Sequence, residues 1–146
     1  MTAPVSSERV VAAARRWLGT PYRHQASLIG VGCDCLGLVR GVYRDLHGTE
    51  PEVPPPYTPD WAEARRAETL AAAARRHLVE IAPTAALAGD VLLFAFAPRS
   101  PAKHCAIQTA PGRMIHAYDP HPVAEVSIVP WWRARLRFAF RFPGTD

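Results

Sequence analysis

Lysine is all but missing from this sequence: Lys103 stands alone beside sixteen arginines. With abundant alanine, that skew reads as a GC-rich source and carries no functional signal. Cysteine is sparse and odd in number, at three, which excludes a disulfide framework. No run reaches about 18 apolar residues, so no membrane-spanning helix and no membrane insertion are expected. Residues 1–9 lack a basic start followed by an apolar stretch, so no signal peptide and synthesis in the cytoplasm are expected. Charge of one sign is also scarce. The net value is +4, and the arginine pairs at 15–16, 65–66 and 75–76 lie in helix-like segments. With no basic stripe interleaved with aromatics, nucleic-acid binding is not expected. An acidic polymer as substrate remains compatible with the charge.

What is present suits a folded domain. Hydrophobic residues make up 49% and charged residues 21% of 146, a length that fits one domain spanning 1–146 and burying about two-thirds of its unfolded surface. A first helix is predicted from Ser7 to Leu18, with Val10, Val11, Ala14, Trp17 and Leu18 on one face and Gly19-Thr20-Pro21 as its stop. Residues 22–32 read as a loop. A second helix follows from the stripe Leu36, Val39, Val42, Tyr43 and Leu46, with Asp34 placed to cap it and Gly48 to end it. Five prolines within residues 49–59 predict a stiff surface excursion. Asp60, with Glu63 at the capping-box position, opens a third helix running to about Val79. Strands follow at Val91–Phe96, Cys105–Thr109, Met114–Ala117, Glu125–Val129 and Leu136–Phe142. The last alternates, with Leu136, Phe138, Phe140 and Phe142 on one face. Helices first and antiparallel strands second predict an α+β fold.

The chemistry centres on Cys35. A thiol in the first turn of a helix feels the positive end of the helix dipole, which favours the thiolate nucleophile. Gly37 leaves space beside it, and the first-turn N–H groups are placed to stabilise an oxyanion. A buried structural cysteine is the competing reading. A nucleophilic cysteine needs a base, and the base an orienting partner. His104 begins one strand and His116 ends the next across the Pro111-Gly112 turn. The start of one antiparallel strand and the end of its neighbour meet, so the two rings are expected side by side. A zinc site from Cys33, Cys35, His104 and Cys105 is an alternative, but its spacing matches none of the usual ligand patterns. No metal or cofactor is therefore expected, and Cys33 and Cys105 read as spectators.

The ordered set Gly19-Thr20-Pro21-Tyr22-Arg23, Asp34-Cys35-Leu36-Gly37-Leu38-Val39, Ala88-Gly89-Asp90-Val91-Leu92-Leu93-Phe94, His104 and Ile115-His116-Ala117 resembles the NlpC-type cell-wall cysteine peptidases. The resemblance spans about residues 8–142. It implies a papain-like fold and cleavage of peptidoglycan stem peptides, typically between D-glutamate and diaminopimelate. It also implies Cys35 as nucleophile, His104 as base and His116 as the residue that orients it. Tyr22 is implied beside the substrate and the oxyanion, and Asp34 either holds the substrate's amino group or only caps the helix. The segment from Pro55 to Trp61 and the closing Phe138–Phe142 resemble the branch found in phage tails and gene transfer agents. Tail or baseplate proteins are then the implied partners, and the cell wall the site of action. A structural tail-tip module, or another amidase or acyl transferase with the same triad, are the competing functions. The sequence departs from the family in three places: Leu36 replaces a serine, Gln25 and Ala26 replace a glycine pair, and Cys105-Ala106-Ile107-Gln108 replaces Val-Gly-Ile-Tyr.

Overall fold

The computed structural model describes residues 5–54 and 68–145. The expected Asp60 cap, Glu63 and the second half of the proline excursion lie outside them. Helix α1 (Ser7–Arg15) starts where Ser6 Oγ accepts the Arg9 N–H at 3.1 Å. It buries Val10, Val11 and Ala14, and Trp17 is buried in the turns that follow. Leu18, expected on the same face, is 44% exposed. The regular helix has stopped by then, so the 3.6-residue spacing no longer governs where that side chain points.

The predicted loop 22–32 contains a small antiparallel pair, β1 (Ser27–Leu28) and β2 (Gly32–Cys33). Helix α2 (Cys35–His47) follows at once and ends at Gly48 with φ 74°, the left-handed cap expected there. The described part of the proline excursion has no regular structure. Glu50 ties it to Arg40 and Arg44 of α2, and Glu52 ties it to Arg76 and His77. Helix α3 covers Thr69–His77. It stops short of the expected Val79, which instead opens strand β3 (Val79–Ile81). Two β-branched residues in three favour a strand there once a sheet edge is within reach.

The remaining strands are β4 (Val91–Phe94), β5 (His104–Ala110), β6 (Arg113–His116), β7 (Ala124–Ser127) and β8 (Leu136–Arg141), with helix α4 (Pro130–Arg133) before the last. With β3 they form a six-stranded antiparallel sheet in the order β3-β8-β4-β5-β6-β7. The fold is α+β, as the order of patterns predicts. Strand β4 is buried at every residue, because Val91 and Leu93 face a core shared with α1 and α2 while Leu92 and Phe94 face a second core containing Trp132. In β8 the expected alternation breaks. Phe138 and Phe140 pack into the helix-side core, but Leu136 packs against the opposite one. A register shift beside Leu93/Phe94 is the reason, since one extra residue turns the side chains before it to the other face. Asp90, 1% exposed, fixes the start of β4 by taking two hydrogen bonds from Arg141 and one from the Leu87 N–H.

Candidate active site

Asp34 sets the first element of the site. Its Oδ1 accepts the Gly37 N–H at 2.7 Å, which caps α2, and its Oδ2 accepts the Gln25 N–H at 2.8 Å. Both carboxylate oxygens thus bind backbone, and the residue is 3% exposed. The same chain crossing holds Tyr22, through Cys33 N–H to Pro21 O at 3.1 Å and Arg23 N–H to Cys33 O at 3.0 Å. Gly37 does not leave a gap beside the thiol as the sequence suggests. A Cβ there would collide with the Ala26 carbonyl, so the glycine lets the tyrosine loop lie directly on α2. Ser27 closes that contact by donating to Gly37 O at 2.6 Å. Gln25 holds a positive φ of 65°, a conformation that suits glycine far better.

Cys35 opens α2, is partly exposed, and lies with its sulfur 3.9 Å from the Lys103 carbonyl of the segment entering β5. Its thiol is held well below the ordinary range. The Cys105 thiol donating a hydrogen bond to the sulfur is the largest cause. Burial opposes it, and a hydrogen bond and charge from His104 add to the lowering. In return the Cys105 thiol is driven up by that same contact and by its burial. Cys35 is the anion of the pair, since it alone sits at a helix N-terminus. The Cys33 thiol, fully buried, is pushed up to about 12 by burial and then by Asp34 and Cys35.

The two histidines meet as the hairpin predicts. Register Ile107↔Ile115, continued one step, sets His116 opposite Ala106 and makes His104 its diagonal neighbour on the same face. His104 Nε2 and His116 Nδ1 are 2.9 Å apart, and both residues are buried. With Nε2 engaged, Nδ1 is the His104 nitrogen left for Cys35. Burial, then the nearby His104 and His121, push His116 down to about 3, so its ring is neutral. A neutral His116 with a bare Nδ1 is an acceptor, and His104 Nε2–H the donor. Burial, then the Cys35 and Asp34 charges, raise the Tyr22 hydroxyl far above its usual value, so it remains a donor.

Sequence reasoning missed what surrounds His104. Trp132 of α4 stacks on His104 with centroids 4.9 Å apart, and Tyr118 stacks on His116 at 5.7 Å. Phe94 and Phe96 flank His104, and Lys103 Nζ lies 5.2 Å from the Phe96 centroid. Adjacent tryptophans behind a helix-opening proline are the signal that points to α4, since such large rings need a surface to cover. Among the described residues, no group of three His, Cys, Asp or Glu side chains is placed to hold a metal ion.

This arrangement lies within a stretch that matches a known family: the NlpC/P60 profile covers residues 19–139. The chain belongs to the NlpC/P60 family. Its fold is the family's papain-like one. It is similar to the NlpC/p60 domain of the peptidoglycan hydrolase SagA, at 28% identity and a TM-score of 0.66, over 94% of this chain and all of that one. An NlpC/P60 protein from Bacillus cereus matches at 20% identity and a TM-score of 0.69, over 96% of this chain and 41% of its own. RipD of Mycobacterium tuberculosis, described as a non-catalytic NlpC/p60 protein adapted to binding peptidoglycan, matches at 16% identity and a TM-score of 0.59, over 92% and 95%. No curated protein matches the sequence significantly.

Proposed function

We propose that this NlpC/P60 domain is a cysteine peptidase that hydrolyses peptidoglycan stem peptides, with Cys35, His104 and His116 as its triad. One observation carries the reading. His104 Nε2 pairs with His116 Nδ1 at 2.9 Å at the start of β5, and Cys35, which opens a helix and whose thiol His104 helps to lower, lies with its sulfur 3.9 Å from the Lys103 carbonyl one residue before that histidine. The 28% identity to a peptidoglycan hydrolase domain across its whole length supports the substrate class.

The Cys35 thiolate attacks the amide carbonyl carbon. The charge that develops on oxygen is met by the Cys35 N–H and the Tyr22 hydroxyl, both donors fixed before the substrate arrives. His104 Nδ1–H protonates the leaving amine as the C–N bond breaks, leaving a thioester. Water then attacks that thioester while His104 takes its proton, and the C–S bond breaks to restore the thiolate. His116 accepts from His104 Nε2–H throughout and holds the ring in line. Asp34 serves here as the cap that joins the helix to the tyrosine loop. A bond of the D-glutamyl-diaminopimelate type is the proposed target, on the strength of the family resemblance. The resemblance to tail peptidases supports a further step, in which the protein rides on a phage-like particle, contacts its tail or baseplate proteins and opens the wall.

RipD, non-catalytic on the same fold, favours one competing reading, a wall-binding or tail-tip scaffold without turnover. One substitution separates them. Cys35→Ala is expected to abolish release of muropeptides from purified sacculi while circular dichroism and Tm stay at wild-type values. Undiminished cleavage would overturn the peptidase reading, and binding without cleavage by the wild type would establish the scaffold.

A further inference from the structure

Acid is missing from two stretches of this chain. Neither Asp nor Glu occurs between Asp90 and Asp119, or between Glu125 and Asp146, yet those stretches hold six arginines and the lone lysine. Of the bounding carboxylates, Asp90 is spent on Arg141 and Glu125 on Arg15 and Arg113. In and beside the helices the pattern is the opposite. Arg15, Arg16, Arg40, Arg44, Arg75 and Arg76 each hold a carboxylate. Arg99, Arg133, Arg135 and Arg137 pair with none among the described residues.

The fold gathers these four around one exposed ring. Trp131 of α4 is 46% exposed. The Arg135 guanidinium lies 3.7 Å from its centroid, and Arg135 Nη1 donates to Trp131 O at 2.8 Å. Arg137 Nη2 donates to Pro98 O at 3.1 Å, which brings it beside Arg99. The Ala95 N–H donates to Arg135 O at 3.0 Å, and the Phe96 ring lies 6.1 Å from Trp131. The loop after β4, helix α4 and the start of β8 therefore meet, with Arg133 at the end of α4. Arg99 and Arg133 are exposed. Phe96 also flanks His104, at 6.0 Å between centroids. The basic patch thus begins one ring away from the catalytic histidine.

We propose that Arg99, Arg133, Arg135, Arg137 and Trp131 form a docking surface for the carboxylates of uncut stem peptides, which holds the peptidoglycan network while a neighbouring stem is cut. The inference rests on peptidoglycan as the substrate class, but not on the bond cleaved. Arginine cations left without acid repel one another until an anion meets them, and the guanidinium fork matches a carboxylate with two parallel hydrogen bonds. Trp131 supplies an apolar face for the carbon skeleton between the charges. Peptidoglycan repeats a carboxylate-bearing stem along each strand. A polymer held beside His104 therefore presents further carboxylates to the patch. Continuity with that histidine through Phe96 favours the polymer being cut over an unrelated polyanion such as nucleic acid.

The test sediments the full chain carrying Cys35→Ala with purified sacculi, so that binding is read without cleavage. Retention is expected to fall as salt is raised from about 0.05 to about 0.5 M, because the attraction is screened. Adding Arg99→Gln and Arg133→Gln is expected to weaken retention about tenfold. Both side chains are exposed, so the fold should be kept, which Tm checks. Sacculi whose carboxylates have been converted to neutral amides should lose binding to a similar degree, and that arm needs no arginine variant. Unchanged retention of the arginine variant, or of the amidated sacculi, overturns the proposal. So does tighter arginine-dependent binding to duplex DNA than to sacculi. A wild type that never cuts sacculi, yet binds them through these arginines, would refute the peptidase reading and leave the docking surface standing. A wild type that cuts them, while the arginine variant binds undiminished, would do the reverse.

Discussion

Cys35 differs from Cys33 and Cys105 by what touches it, and that difference is measurable without a substrate. Its thiol is lowered while the other two are raised. A lowered acid is ionised on the alkaline side of its pKa and loses its charge only as pH falls through that value. Alkylation of Cys35 by iodoacetamide is therefore expected to stay fast from pH 8 down through neutrality. A rate that instead follows an ordinary thiol titration near about 8.5 would refute the assignment. In the native protein Cys33 and Cys105 should remain unlabelled. Gln25 offers a second residue-scale prediction. Its φ of 65° costs a non-glycine residue about 1 kcal/mol, and its N–H is needed by Asp34. Gln25→Gly removes the strain and keeps the donor, so its Tm in calorimetry should rise; an unchanged or lower value would show that the glutamine is not strained.

At the scale of elements, the site depends on a loop pressed onto a helix. Gly37→Ala places a methyl against the Ala26 carbonyl and should push the tyrosine loop off α2. Displacing Tyr22 by about an ångström is expected to lower kcat/KM on muropeptides about 10²-fold. Near wild-type turnover would mean that the loop yields elsewhere. This contact also marks the limit of what the sequence discloses. The helix at Cys35 was legible because Asp34 and an apolar stripe are local signals. The His104–His116 pair was legible because a hairpin obeys a simple register. The β1–β2 pair was not, since two-residue strands carry no periodicity. Val79 was read into a helix because an alanine-rich run precedes it, and only the edge of β8 makes it a strand. Leu136 was misplaced because a bulge is invisible to strict alternation. The place of Trp132 beside His104 escaped for another reason: it depends on a partner far away in the chain.

For the molecule as a whole, the buried histidine at the site links activity to stability. His116 is pushed down to about 3 by burial, whereas an unfolded histidine titrates near about 6.5. Between those values the unfolded chain binds a proton that the folded chain refuses, so stability falls as pH is lowered. The slope from one such group is at most about 1.4 kcal/mol per pH unit. His47, also lowered by burial and then by Arg9, acts in the same direction. From pH 6.5 to 5, above the carboxylate range, the urea midpoint of the wild type should fall. His116→Asn should flatten that fall, and parallel curves for the two proteins would contradict the account.

The lone lysine now acquires a use. Its carbonyl lies against the Cys35 sulfur and its ammonium over Phe96, at the edge of the aromatic cluster around His104. The sequence contains no other side-chain amine. A fluorophore coupled through amine chemistry would therefore mark, besides the α-amine of the chain, a single side chain, next to a ring that neighbours the quenching indoles of Trp131 and Trp132. Its emission would report, in real time and without mutation, when a ligand settles beside His104 and when it leaves.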